Sequence, residues 1–194
     1  MASALEREAT TRRWRRVEYE RLVDLGLFVG ERLELLDGVL VVGEPQGSAH
    51  AAIVMRIGQI LATAFGEGWH PRLQAPLALG EHSEPEPDIA VVAGAPLDYV
   101  AAHPSTAVLV VEVADSSLRL DRRFKAAVYA RAGLREYWIV NLVDRALEVY
   151  HNPRPAADTA YDWTYGSVEI LHPPAVVTPL AAPAVQIIVS DLLP

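Results

Sequence analysis

The sequence predicts a single α/β domain in which a mixed central sheet is flanked by helices. Its 194 residues are 51% hydrophobic, enough to bury a sizeable core, and the length suits one domain better than two. Apolar runs of strand length, of which residues 107–114 are the clearest, occur between segments whose apolar side chains recur every three or four residues. We divide the chain into a basic N-terminal extension, residues 1–16, and one domain, residues 17–194.

The domain is predicted to begin with a helix and a hairpin. Residues 17–25 carry apolar side chains near helical spacing and are followed by a glycine, which commonly ends helices. Residues 32–36 and 39–42 are predicted strands on either side of Asp37-Gly38, a dipeptide that tolerates positive φ and favours a tight hairpin turn. Glu34 lies on the first of these two strands.

The centre of the chain is predicted to supply a long helix and three strands. Residues 49–65 show three- and four-residue apolar spacing, and Ser48 before them suits a helix N-cap. Residues 72–79 and 88–92 are predicted strands. Residues 107–114 are almost wholly apolar, which indicates a central strand covered on both faces.

The last part of the chain is predicted to add one helix and a strand pair. Residues 118–132 have helical periodicity and are closed by Gly133. Residues 136–142 and 146–150 are predicted strands around Asp144-Arg145, and the remaining tail indicates short strands. This order of elements predicts a mixed sheet with helices packed on it.

Composition narrows the class of protein. The formal net charge of −8 argues against binding nucleic acid through the overall electrostatic field, so any contact with DNA must be local. The sequence has no cysteine, which excludes disulfides and thiolate zinc sites. The first ten residues lack the apolar run of a secretory signal, and no apolar run approaches the roughly 20 residues of a membrane span. We therefore expect a cytoplasmic protein without a membrane partner.

Two carboxylates are placed where they point to chemistry. Asp88 begins an apolar strand directly after a proline-rich loop, although a strand-end turn residue is the alternative interpretation. Glu112 interrupts the apolar strand 107–114, where an unpaired carboxylate is costly to bury, so it needs a cation or a hydrogen-bond donor. The alternative for Glu112 is a structural salt bridge to an arginine, which seldom adds stability.

The chain has sixteen arginines and one lysine, Lys125. An isolated helical lysine is ordinarily a solvated surface residue, but Lys125 shares a predicted helix face with Asp121 and Tyr129 by four-residue spacing. Its ammonium can therefore be directed back toward the end of the central strand. Two carboxylates and an ammonium make a sensible hydrolytic site, because oxygen ligands suit Mg²⁺ or Mn²⁺ and the metal polarises a phosphoryl oxygen.

Six stretches, taken in order along the chain, carry a family resemblance. They are Glu34 to Gly38, the region of His50, Pro85 to Val92, Val111 to Ser117, Lys125 with Tyr129, and Gly133 to Val140. Through them, over about residues 17–150, the chain resembles the bacterial Uma family of restriction endonucleases, a branch of the PD-(D/E)XK nuclease superfamily. The resemblance implies a restriction-endonuclease-like fold and metal-dependent hydrolysis of DNA phosphodiester bonds.

The resemblance also implies roles for individual residues. Pro87-Asp88 matches the "PD", Glu112 matches the following acid, and Glu34 is an additional carboxylate near the metal. The backbone carbonyl of Val113 is a further metal ligand. The catalytic set implied is therefore Asp88, Glu112, Lys125 and Glu34, and the implied metal ligands are Asp88, Glu112 and Val113.

One position departs from the superfamily pattern. The lysine expected two residues after the acid is replaced by Ala114. The resemblance implies that Lys125 supplies this charge from the following helix, provided that it reaches the same point in space.

Other polar residues have weaker claims on the site. His50 near a helix start is either a phosphate- or metal-binding residue or an ordinary cap or packing residue. Asp115 and Asp121 are near the site in sequence, but Asp115 also suits a turn, and we place neither in the core set. Two arginine clusters are candidates for contacts with DNA phosphates, a solvated charged face being the alternative: Arg12, Arg13, Arg15 and Arg16, and Arg119, Arg122 and Arg123.

Three functional hypotheses remain open from the sequence. The first is an Mg²⁺- or Mn²⁺-dependent endonuclease acting on DNA. The second is a catalytically silent interaction module that keeps the nuclease fold, and the third is metal-dependent hydrolysis of another substrate, because fold does not fix substrate. A homodimer is a further expectation, with residues 137–140 and 185–193 as apolar surface for association.

Overall fold

A six-stranded mixed sheet forms the centre of the molecule. The computed structural model describes residues 11–43, 46–157 and 159–194. The strands of the sheet are β3 (Trp69–Leu73), β4 (Ile89–Ala93), β5 (Leu109–Ala114), β6 (Glu136–Asn141), β7 (Ala146–Pro155) and β8 (Trp163–Leu171). They lie side by side in chain order, β5 and β6 pair in parallel, and the other neighbours are antiparallel.

Helices and short strands surround this sheet. The hairpin is β1 (Leu33–Leu36) with β2 (Val39–Val42), and β9 (Val176–Val177) pairs with β10 (Ile187–Ile188). The α-helices are α1 (Arg16–Asp24), α2 (Ser48–Phe65), α3 (Leu118–Leu120) and α4 (Ala126–Arg131), with a π-helical segment (Asp121–Lys125) between the last two. Short 3₁₀ helices occupy Pro96–Tyr99 and Val189–Leu192. The predicted α/β fold with a mixed central sheet flanked by helices is confirmed.

The two faces of the sheet bury two separate cores, because successive side chains of a strand point to opposite faces. On one face, Ile57 and Leu61 of α2 pack with odd-numbered residues of β4 and β5, such as Val111. On the other face, Tyr129 of α4 packs with even-numbered residues of β4 and β5, such as Val110. The alternation therefore decides which strand side chains face α4.

The hairpin and the first helix match the sequence predictions closely. Asp37 and Gly38 form the turn with φ of 49° and 80°, the positive values that a type I′ hairpin turn requires at both central residues. The α1 helix begins and ends within one residue of the predicted bounds. Ser48, however, is the first residue of α2, and the N-cap is Gly47 without a side-chain hydrogen bond, so the predicted serine cap is wrong.

The strand predicted at residues 72–79 is also misplaced. The strand is β3, and it ends before Gln74, whose φ of 49° turns the chain out of the extended conformation. The backbone beyond it is satisfied elsewhere, because Leu77 N–H donates to the carbonyl of Pro85 at 2.9 Å and Ala78 N–H donates to that of Pro104 at 2.9 Å. An apolar run predicted as a strand is thus a buried loop segment.

Most of the apolar surface expected to support a homodimer is buried inside the molecule. The side chains of Tyr137, Trp138, Ile139 and Val140 are all 0% exposed, because β6 is an interior strand of the sheet. Within the second segment, Val189, Leu192 and Leu193 are at most 2% exposed. The identification of residues 137–140 as association surface is therefore wrong, whereas Ile188 of the second segment remains 46% exposed. The homodimer stays a prediction.

Two further expectations concern the N-terminal segment and the membrane. Residues 1–10 of the predicted basic extension lie outside the described residues, whereas Trp14 N–H donates to Gly38 and Arg16 N–H donates to Glu81. Residues 14–16 are therefore attached to the domain. The α2 helix is long and apolar enough to cross a membrane by length and composition, but core helices meet the same criterion and its buried stripe packs on the sheet. The absence of a membrane partner stays a prediction.

Candidate active site

The register of β4 and β5 brings two carboxylates together. Ile89 lies opposite Val111, so Asp88 and Glu112 continue the pairing on the sheet face that α4 covers. Asp88 N–H donates to Glu112 Oε2 at 3.4 Å, and Val113 N–H donates to Asp88 Oδ2 at 2.8 Å. Both acids are buried, at 6% and 3% exposure, so each needs partners for its oxygens.

Lys125 reaches these carboxylates from the helical segment after β5. Its ammonium donates to Glu112 Oε1 at 3.1 Å and to Glu34 Oε1 at 3.3 Å, and the residue is 7% exposed. Tyr129, four residues further on, donates its hydroxyl to the same Oε1 of Glu112 at 2.6 Å. The predicted shared helix face is confirmed, and the charge of the displaced lysine lies against the acid that the family pattern requires.

Glu34 comes from the β1–β2 hairpin, 91 residues before Lys125. The hairpin is tied to the loop before β4, because Leu35 exchanges two backbone hydrogen bonds with Glu84, of 3.3 and 2.6 Å. Glu34 Oε2 also accepts a hydrogen bond of 3.1 Å from Glu86 N–H. These bonds fix Glu34 beside the entry to β4, where Asp88 follows.

Asp88 has a second group of partners, which the sequence indicated only in part. His50 Nε2 of α2 lies 3.0 Å from Asp88 Oδ1, and Gln46 Nε2 and Gln74 Nε2 donate to the same oxygen at 3.1 and 3.3 Å. His50 therefore lies in the site. Neither glutamine was a candidate, because a glutamine in a loop carries no distinguishing sequence signal.

Asp121 is the carboxylate that the sequence analysis set aside and that the structure brings into the site. It is 1% exposed and accepts a 2.6 Å hydrogen bond from the Ser117 hydroxyl. Asp121 is the first residue of the π-helical segment that ends with Lys125, and such segments often occur at functional sites. Asp115, the other acid set aside, is exposed at the rim.

These residues surround a cavity of about 700 Å³ between the hairpin, the start of α2 and the segment 115–125. Burial raises the pKa of Glu112 well above its usual value; Lys125 opposes this shift, and the nearby carboxylates add to it. Burial likewise raises the pKa of Asp121 to about 6. Burial alone would lower the pKa of Lys125, but the fields of Glu112, Glu34 and Asp121 outweigh it and raise the pKa.

The pKa of Asp88 is shifted in the opposite direction to those of Glu112 and Asp121, because Asp88 accepts several hydrogen bonds. Burial would raise the pKa of Asp88, but the bonds from His50 and Val113 N–H prevail and lower it below its usual value. The bond to Asp88 in turn raises the pKa of His50, against its own partial burial. These hydrogen bonds therefore favour the ionised form of Asp88.

The chemistry of the donor set fits a hard divalent cation. The cavity is lined by the carboxyl groups of Glu34, Asp88, Glu112 and Asp121 and by the ammonium of Lys125. Carboxylate oxygens are the ligands that Mg²⁺ and Mn²⁺ prefer. Burial is the main cause of the raised pKa values of Glu112 and Asp121, and the neighbouring carboxylates add to it. Among the residues that the structure describes, no three histidine, aspartate or glutamate side chains already stand close enough to hold a metal ion. The carboxylate oxygens instead accept hydrogen bonds from side chains and backbone, so binding a cation requires some of these oxygens to change partner.

The two arginine clusters differ in how their charge is used. In the N-terminal cluster, every arginine is paired with an acid: Arg12 with Glu18, Arg13 with Asp37, Arg15 with Glu81 and Arg16 with Glu20. In the second cluster, Arg122 binds Glu148 through two nitrogens, at 3.0 and 2.6 Å. Arg119 and Arg123 are exposed on the cavity wall and have no acidic partner within the described ranges.

Comparisons with known proteins identify a family and a similar fold. Residues 16–190 match the model of a family described as "Uma2: Putative restriction endonuclease". The fold is similar to the crystal structure of "a putative nuclease belonging to DUF820" from Anabaena variabilis ATCC 29413, with a TM-score of 0.63 and 18% sequence identity. That match covers 88% of this chain and 96% of the other. A search of curated proteins gives no match.

Proposed function

The chain belongs to the Uma2 family, as its sequence motifs predicted, and we propose that it is a divalent-metal-dependent endonuclease that hydrolyses DNA phosphodiester bonds. The observation that carries the proposal is the contact of Lys125 with Glu112 and Glu34, at 3.1 and 3.3 Å, beside Asp88 in one cavity. This contact supports the proposal because the superfamily pattern has a lysine where this chain has Ala114, and Lys125 supplies that ammonium from a different element.

In this proposal the carboxylates supply the metal ligands. Asp88, Glu112 and the backbone carbonyl of Val113 would hold Mg²⁺ or Mn²⁺, and Glu34 would add negative charge nearby. A metal held there would supply polarisation of a phosphoryl oxygen and stabilisation of the developing charge. Asp88 suits the ligand role because its hydrogen bonds lower its pKa and keep it ionised.

Lys125 and the residues around it orient the reactants. Lys125 lines the cavity beside Glu112, where its ammonium can hold an attacking water or an anionic phosphoryl oxygen. Tyr129 fixes Glu112 Oε1, so the carboxylate keeps its orientation. His50, Gln46 and Gln74 do the same for Asp88. Pre-oriented groups of this kind lower the barrier because they need not reorganise during the reaction.

Binding of DNA to an acidic protein must be local, and the cavity rim supplies local positive charge. Arg119 and Arg123 line the cavity on the side of the π-helical segment. Their guanidinium groups are suited to phosphate oxygens. The remaining arginines of both clusters serve the fold through ion pairs, so the DNA contact is expected at this rim.

Cleavage of supercoiled plasmid in Mg²⁺ or Mn²⁺ tests the proposal. We expect the parent to nick or linearise the plasmid, and we expect Glu112→Gln and Lys125→Arg, prepared identically, to be slower by about a hundredfold or more. Arg135→Gln is the matched control, because Arg135 is exposed and outside the cavity. Equal cleavage by the parent and both site variants would contradict the assignment of the site.

A catalytically silent interaction module remains the second candidate. It is favoured by one observation, that the carboxylate oxygens already accept hydrogen bonds from within the protein and no three acidic or histidine side chains among the described residues are arranged for a metal. Calorimetric titration with Mn²⁺ separates the two candidates. The endonuclease predicts saturable binding that Asp88→Asn weakens, and the silent module predicts no binding.

A further inference from the structure

We infer that the cavity takes an unpaired DNA strand rather than an intact duplex, an inference that rests on the proposed nuclease function. Its basis is an aromatic pair on the cavity wall. The rings of Phe124 and Tyr161 stack with centroids 4.8 Å apart and planes 18° apart, and both residues line the cavity. Both are only partly buried, so they present ring surface to whatever enters.

Tyr161 is held at the wall by its backbone. Arg131 Nη2 donates to the Tyr161 carbonyl at 2.7 Å, and Arg131 is itself paired with Asp37 of the hairpin turn. The Tyr161 hydroxyl has no hydrogen-bond partner in the part of the chain that the structure describes, in contrast to the buried Tyr165, whose hydroxyl donates to the Leu134 carbonyl at 2.9 Å. A positioned aromatic ring with an unengaged polar end is suited to a base that carries its own polar edge.

The same wall carries two arginines that have no acidic partner among the described residues. Arg119 and Arg123 are four residues apart and flank Arg122, which is committed to Glu148. Phe124 follows Arg123 directly. Guanidinium groups interleaved with aromatic rings are the combination that binds single strands, since the charge follows the phosphates and successive bases stack on the rings.

The depth of the reacting groups favours a single strand over a duplex. Asp88 and Lys125 are 6% and 7% exposed at the floor, so the scissile phosphate must enter the cavity to reach them. A cavity of about 700 Å³ is of the size that holds a small ligand, about 300–1,000 Å³, and so has room for about one or two nucleotides. Bases in a duplex already stack on one another, whereas an unpaired base gains a stacking partner from Phe124 and Tyr161.

The inference is tested by fluorescence anisotropy with a labelled oligodeoxythymidylate of about 12 nucleotides and a labelled duplex of the same length, in Ca²⁺. We expect the parent to bind the single strand at least about tenfold more tightly than the duplex. The double variant Phe124→Leu/Tyr161→Leu should lose about tenfold or more of single-strand affinity and little of duplex affinity. Its folding is checked by thermal melting.

A second variant keeps the test decisive if the aromatic substitutions destabilise the fold. Arg119→Gln/Arg123→Gln changes only exposed side chains, and it should flatten the dependence of log affinity on log salt concentration by about 1.4, as expected for two phosphate contacts on a single strand. Arg135→Gln, outside the cavity, should leave that slope unchanged.

The outcomes separate this inference from the proposed function. Equal affinity for both oligonucleotides, or single-strand binding that neither double variant alters, would overturn the inference even if plasmid is cleaved. Tight single-strand binding that depends on both pairs of residues supports it even if no cleavage is found. Tighter binding of an oligouridylate than of the DNA strand would assign the cavity to RNA and overturn the inference.

Discussion

Replacing Lys125 by methionine tests the contribution of its buried ion pairs to stability. Methionine keeps most of the length of the side chain but removes the ammonium that lies 3.1 Å from Glu112 and 3.3 Å from Glu34. Glu112 is 3% exposed, so it cannot recover this interaction from water. Removing one partner of a buried ion pair costs about 3–5 kcal/mol, because Glu112 must then either stay ionised without its partner or, since burial already raises its pKa, take up a proton at pH 8. We expect a loss of free energy of unfolding of that size.

Urea unfolding followed by tryptophan fluorescence and far-UV circular dichroism at pH 8 measures this loss. With a denaturant slope of about 2 kcal/mol per molar, the midpoint of Lys125→Met should fall by about 1.5–2.5 M. Adding Glu112→Gln to it should recover at least about 1 kcal/mol, since the uncompensated charge is then gone. The control Arg119→Met, on the exposed rim, should stay within about 0.5 kcal/mol of the parent. A midpoint within about 0.5 M of the parent's for Lys125→Met would refute the reasoning.

Two further predictions concern stability. Tyr129→Phe removes the 2.6 Å hydrogen bond to buried Glu112 and should lower the free energy of unfolding in urea by about 1.5–3 kcal/mol. The control Tyr161→Phe removes a hydroxyl without a partner among the described residues and should leave the free energy of unfolding almost unchanged. Similar losses for the two variants would contradict this. Burial, with the neighbouring carboxylate of Glu20, raises the pKa of Glu84 from 4.5 to about 7, so the native state binds this proton more tightly and stability falls as pH rises between these values. Between pH 5 and pH 8, the melting temperature of Glu84→Gln should therefore fall by about 3–6 °C less than that of the parent, which corresponds to about 1–2 kcal/mol in free energy of unfolding. Equal decreases in melting temperature would exclude this role.

The sequence located the elements whose signal is local. The Asp37-Gly38 turn needs positive φ at both residues, and few other dipeptides supply it as easily. The β5 strand is apolar on both faces because helices and loops cover both, and this is why Glu112 could be recognised as an anomaly. The pairing of Asp88 with Glu112 follows from the same alternation once the register is known.

Interactions between distant parts of the chain were not accessible to the same reasoning. Glu34 entered the candidate set only through the family resemblance, because nothing local shows that a hairpin strand packs beside a lysine 91 residues later. Asp121 was left out of the core set because nearness in sequence was its only claim, and its burial at 1% exposure becomes visible only in the folded chain. Residues 74–79 were assigned to a strand because they are mostly apolar, and the sequence does not show that their backbone groups bond to the loop 83–85 and to Pro104.

The most direct test of the central claim compares cleavage of one DNA substrate by the parent and by Asp88→Asn in the presence of Mn²⁺, after circular dichroism has established that both are folded. The substitution keeps the shape of the side chain but removes its negative charge, which the hydrogen bonds to Asp88 favour by lowering its pKa. The account predicts that the parent cuts, that chelation of the metal stops it, and that Asp88→Asn is slower by about a hundredfold or more. Equal rates for the two proteins would show that the cleavage does not come from this site and would contradict the account.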